Sequence, residues 1–161
     1  MDGFDNTTVT LRHITGPLQA LNIMRSGRYI APNHVPQWDR VANFVSAPGH
    51  NNNIVEYSGA MLTFKWSGPV VELGVQPTVS FESMRTNTLY SCGAWKQFLI
   101  PGTDAGLTLV DVQLHGDLRD LCPKPSWWMP WEKAGVEKTV NRTRLEVARF
   151  VASGGGTITI V

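Results

Sequence analysis

The stretch Leu11-Arg12-His13-Ile14-Thr15-Gly16-Pro17-Leu18-Gln19-Ala20-Leu21-Asn22-Ile23-Met24-Arg25-Ser26-Gly27-Arg28-Tyr29-Ile30-Ala31-Pro32 contains three elements and their punctuation. Thr8 to Ile14 is rich in β-branched residues and predicts a strand. Pro17 suits a first helical turn, where its missing N–H costs nothing. Leu18, Leu21 and Met24 recur at threes beside Ala20, an apolar helical face. Gly27 supplies a left-handed stop, so the helix is expected over Pro17–Ser26. Arg28-Tyr29-Ile30 reads as a short extended piece ended by Pro32. His13 stands at the end of a strand just before a helix, a position that faces clefts more often than average.

Further strands are expected at Val41 to Ser46, Met61 to Trp66, Val70 to Val75, Leu107 to Leu114 and Thr157 to Val161. Ser67-Gly68-Pro69 suggests a hairpin between the second and third of these. Asp117 to Leu121 reads as a helical turn, and Arg144 to Val151 fits either a helix or a strand. Lys124 to Trp131 and Gly135 to Lys138 read as loops. The sum is an α+β fold, a mixed and mostly antiparallel split sheet with few helices. The 161 residues are expected to form one domain, of a size that buries roughly 70% of its unfolded-chain surface.

The opening segment resembles the N-terminal motif of the histidine-type ADP-ribosyltransferases, the class that includes diphtheria toxin, the poly-ADP-ribose polymerases and DarT-type toxins. The matching residues are Leu11-Arg12-His13-Ile14-Thr15 and Ala20-Leu21-Asn22-Ile23-Met24-Arg25-Ser26-Gly27. The resemblance implies an ADP-ribosyltransferase-like fold over residues 1–161 that uses NAD as a substrate and needs no metal. It implies that His13 hydrogen-bonds the NAD ribose and that the backbone at Ile14 and Thr15 clamps the nicotinamide amide. Tyr29 or Phe44 would stack on nicotinamide, with Ser46 lining the site and Arg40 near the phosphates. The family also needs a late glutamate. Arg144-Leu145-Glu146 resembles its context, with Val147 in place of the family's aromatic, so Glu146 is the candidate and Glu137 the reserve. That carboxylate would stabilise positive charge on the ribose as nicotinamide leaves. The geometry to test is His13 facing Glu146 across a cleft.

By analogy, a free-standing domain of this kind suits a toxin, an effector or a phage-related enzyme. It would modify a macromolecular acceptor, protein or nucleic acid, and an inhibitor or antitoxin protein would be a further partner. Trp127, Trp128 and Trp131 lie together among prolines just before the late acid. They pack in the core or form a platform for substrate. Two rival functions stay open. His13 with His34, His50 or His115 could form the acid–base pair of a metal-free ribonuclease. Alternatively, the chain is a non-catalytic binding module that uses the tryptophan-rich segment.

Composition bounds these readings. Charged residues make up 17% and the net charge is +1, so no broad basic footprint marks a dedicated nucleic-acid binder. The segment from Lys124 to Arg149 is mildly basic. Cys92 and Cys122 lack metal-type spacing and are too few for a disulfide scaffold. Gly154-Gly155-Gly156 has neither the spacing nor the following helix of a dinucleotide fingerprint. Met1-Asp2-Gly3-Phe4-Asp5 lacks the apolar core of a leader, and no long apolar run suggests a membrane span. The expected location is the cytoplasm, of the producing cell or of a target cell.

Overall fold

A computed structural model describes residues 8–31, 42–44, 59–74, 83–92, 97–101, 106–115, 118–122 and 130–161. Strand β1 (Val9–Thr15) leads into helix α1 (Pro17–Ser26). Pro17 opens that helix, and Gly27 closes it at φ 66° while its N–H bonds Ile23 O at 3.0 Å. Ala20, Leu21, Ile23 and Met24 form its buried face. The strands that follow are β2 (Arg28–Tyr29), β3 (Ala42–Phe44), β4 (Ala60–Trp66), β5 (Val70–Glu72), β6 (Leu89–Ser91), β7 (Gln97–Leu99) and β8 (Leu107–Leu114). A short 3₁₀ helix at Leu118–Leu121 precedes helix α2 (Pro130–Ala152), and β9 (Gly156–Thr157) and β10 (Thr159–Ile160) come last. The class is α+β. Among the described strands, five pairings are antiparallel and two parallel.

One sheet runs β1-β4-β8-β9 and another β3-β7-β6-β5, with β10 and β2 paired separately. The first sheet turns Leu11, Ala60, Leu62, Phe64, Trp66, Leu107, Leu109 and Val112 into the main core. A register shift at Thr63/Phe64 leaves Val110 as an extra residue in β8. The apolar positions of β8 change from odd to even numbers there, so the bulge keeps all of them on the core face. In the second sheet the faces divide. Phe44, Leu89 and Leu99 join the main core, whereas Tyr90, Cys92 and Phe98 form a smaller cluster with Met84.

Three expectations need correction. Ser67-Gly68-Pro69 does not close a hairpin, because β4 pairs with β1 and β8 while β5 pairs with β6 in the other sheet. Those turn residues instead cover the buried Trp66, whose Nε1 donates to Pro69 O at 3.1 Å. A Cβ on Gly68 would run into the indole. Trp131 and the stretch Gly135 to Lys138, read as loop, belong to α2, as does the ambiguous Arg144–Val151, while residues 124–129 lie outside the described residues. Pro130 starts this helix, and Val140, Thr143 and Val147 are buried at helical spacing. Their packing outweighs the low propensity of Gly135, about 1 kcal/mol. Finally, the terminal strand is two. β9 extends the first sheet beside β8, while β10 crosses to β2 in parallel. No described helix is long and apolar enough to cross a membrane.

Gly154 and Gly155, at φ 89° and 82°, turn the end of α2 into β9. Their N–H groups bond Val151 O and Phe150 O, each at 3.1 Å. A Cβ on Gly155 would overlap the Leu109 carbonyl, whereas one on Gly154 meets nothing within 4 Å. Gly154→Ala should therefore cost about 1–2 kcal/mol of stability from backbone strain alone. Gly155→Ala should cost about 3 kcal/mol or more, because overpacking adds to strain. Urea unfolding of the two variants measures both; equal losses would disprove the close approach.

Candidate functional site

His13 belongs to the row Leu11, His13, Thr15, which β1 turns toward the same side as Phe64, Leu62 and Ala60 of β4. The histidine is therefore presented to the space between the sheets. Ile14 has the opposite parity and stands across from Met61. Its side chain and that of His13 point to different faces, while Thr15 ends the strand opposite Ala60.

Tyr29 reaches His13 because β2 is held in place by the C-terminal strand. Thr159 N–H donates to Gly27 O, Val161 N–H to Tyr29 O, and Ala31 N–H to Val161 O, at 2.8–2.9 Å. The Tyr29 and His13 rings meet edge to face, with centroids 4.9 Å apart at 72°. Tyr29 Oη lies 3.4 Å from His13 Nε2, a long contact in which the hydroxyl donates when that nitrogen is unprotonated. Phe44 completes the cluster, 6.3 Å from His13 and 6.1 Å from Tyr29. It leans on Phe64 at 5.4 Å, which anchors the group to the core. Tyr29 and Phe44 are buried; His13 is only partly so.

The ladder adds residues that sequence reasoning missed. Phe44 stands opposite Gln97, Gln97 opposite Ser91, and Ser91 opposite Glu72. Residues directly opposite share a face of the sheet. A row of amide, hydroxyl and carboxylate thus continues from Phe44 toward the exposed edge strand β5. Gln97 is 7% exposed, and its Oε1 has no hydrogen-bond partner among the described residues. A buried acceptor left unpaired costs about 1–3 kcal/mol, so it marks a place where a donor from outside would be favoured. Nothing in Trp95-Lys96-Gln97-Phe98-Leu99 announces this, because a lone Gln has no motif.

The late acids have other addresses. Glu146 lies on α2, and its two carboxylate oxygens accept from Arg25 Nε and Nη2 of α1, each at 2.8 Å. The pair is surface-exposed, 46% for Arg25 and 38% for Glu146. Hydrogen bonds from Arg25 hold the Glu146 carboxyl below its ordinary range; slight burial opposes this, and the charges of Arg25 and Arg142 reinforce it. The same bonds raise Arg25. Glu146 thus clamps α2 to α1, while His13 belongs to the ring cluster. Glu137 is exposed and lies 3.5 Å from Arg119. Trp131 projects from the first turn of α2 and is 65% exposed. Arg40, Ser46, Trp127, Trp128, His34 and His50 lie outside the described residues. His115 follows the end of β8, two strands from β1, with a Cα separation from His13 of roughly 14 Å by strand spacings. Among the described residues no three His, Cys, Asp or Glu side chains converge as a metal site.

Chemically, the cluster brings one partly exposed imidazole and one phenol against the Phe44 ring, and the unpaired amide oxygen of Gln97 lies on the same sheet face as Phe44. Such a set suits a flat ring joined to a hydroxyl-bearing group. No protein-family model matches the chain, and neither a curated protein nor a solved structure does.

The Glu146 clamp has a defined pH signature. Its carboxyl is lowered in the folded state, so the stabilisation is present above the ordinary glutamate value of about 4.3 and is lost as pH falls through the lower folded value. Screening at this exposed site limits it to about 0.2–1 kcal/mol. Glu146→Gln should lower stability by that amount at neutral pH, and the difference from wild type should shrink as pH falls below the ordinary glutamate range and the carboxyl is protonated. Urea titrations across pH measure this, and a difference that persists at low pH would rule out the carboxylate as its source.

Proposed function

We propose that this chain is an ADP-ribosyltransferase-type enzyme that binds NAD at the His13–Tyr29–Phe44 cluster and breaks its nicotinamide–ribose bond. The single observation that supports this best is the convergence of those three rings from three separate strands. Tyr29 and Phe44 wall the nicotinamide. His13 Nε2 and the Tyr29 hydroxyl orient the ribose, and Gln97 Oε1 accepts a hydrogen bond from a ribose hydroxyl. As the bond lengthens, nicotinamide leaves as a neutral base and the positive charge passes to the ribose carbon. An acceptor nucleophile, or water, attacks that carbon and gives up a proton. The products are nicotinamide and an ADP-ribosylated acceptor, or free ADP-ribose. Orientation is the main contribution of the cluster, since a fixed sugar leaves the line of attack open. Glu146 already has its charge compensated by Arg25, and a compensated carboxylate stabilises a cation poorly.

Incubation with NAD and measurement of released nicotinamide tests the reading. His13→Ala and Gln97→Ala should each lower release by about 100-fold, the scale of losing a positioned transition-state contact. Glu146→Gln and Arg25→Ala should behave alike and stay within about threefold of wild type. Release that survives His13→Ala would refute the NAD site. Loss in Glu146→Gln but not in Arg25→Ala would instead make Glu146 the working carboxylate.

A further inference from the structure

A second feature stands on the outer face of α2 and owes nothing to the NAD reading. At 100° per residue, Trp131, Gly135, Lys138, Arg142 and Arg149 fall within one narrow stripe. The buried residues Val140, Thr143 and Val147 lie on the other side of the helix. Beside the stripe an open groove of about 1080 Å³ runs between α2 and Arg25 of α1. Four cations line it, Arg25, Lys138, Arg142 and Arg149, against the single carboxylate of Glu146. That carboxylate is bound on both oxygens by Arg25 and also feels the charge of Arg142, so among the groove's lining residues four cations face one carboxylate and an excess of positive charge remains. This concentration occurs in a chain whose net charge is only +1.

We propose that this groove binds single-stranded nucleic acid. Lys138 and Arg142 are about 6 Å apart along the helix, and Arg142 and Arg149 about 10 Å, so the three cations form a row along the groove that a phosphate backbone can follow. Asn141 and Thr139 add polar contacts in the same lining. Trp131 continues the stripe two turns toward the helix N-terminus and is 65% exposed. Cations alone would suit any polyanion, acidic peptides included. An exposed indole in line with them favours unpaired bases, whose faces stack on it while the phosphates follow the cations. A duplex, with its bases stacked inside, cannot use the indole.

The test is fluorescence anisotropy of the full chain with a labelled single strand of about 20 nucleotides, long enough to cover the roughly 27 Å from Trp131 to Arg149. The same-length duplex is the comparison, and salt is varied. The expected result is tighter binding of the single strand. Arg142→Ala/Arg149→Ala should weaken it at least tenfold and reduce the salt slope by about 1.4, the share of two lost phosphate contacts. Trp131→Ala should weaken it roughly five- to hundredfold with an unchanged slope. Lys138→Glu, also at an exposed position, provides an independent charge variant, and circular dichroism checks that each variant is folded. No saturable binding at micromolar protein in low salt would overturn the proposal. So would equal or tighter binding of the duplex, or binding indifferent to these four positions. Because the assay contains no NAD, its failure and failure of the NAD reading are separately visible.

Discussion

The parallel pairing of β10 with β2 holds Tyr29 against His13. β2 has only two residues and follows a helix stop, so by itself it would have little reason to keep one position. Three backbone hydrogen bonds from the segment around Thr159 and Val161 supply that reason. The same C-terminal segment is fastened to the main sheet one step earlier, through β9 beside β8 and the Ile158 N–H to Leu107 O bond. Thr157 to Val161 therefore joins two elements that do not pair with each other. Gly154 and Gly155 let the chain leave α2 close enough to Leu109 for this to happen.

Much of this was legible where local chemistry decides structure. Pro17 and Gly27 bound α1 because a fixed φ and a left-handed stop act within one turn, whatever the tertiary surroundings. β8 was legible from its alternation, although the bulge that rescues its last apolar residues was not. α2 was obscured by Gly135 and by prolines flanking a tryptophan run. What makes it a helix is burial of Val140, Thr143 and Val147 against distant elements, which no local window contains. β6 and β7 are short and buried at every position, so they show no period of two.

The candidate site divides along the same line. His13 was visible because it ends a strand before a well-marked helix, whereas Tyr29 and Phe44 were named only through the family resemblance. Gln97 becomes visible only once Phe44 is its ladder partner and its oxygen is seen to be buried without a donor. Glu146 illustrates the converse. Its sequence context pointed to chemistry, yet the same arginine-rich surroundings describe an exposed clamp between two helices.

The strand that secures Tyr29 is made last among the described elements, while Tyr29 itself is made among the first. Contacts so distant along the chain form late, after their closure entropy has been offset by other packing. During synthesis β1, α1 and β4 can assemble while β2 still has no partner. The ring cluster therefore matures only after Thr159 and Ile160 emerge, and a nascent chain passes through a stage with most of its core but an unfinished ring cluster. In a cell making this protein, only chains whose translation has run past that point can hold Tyr29 against His13.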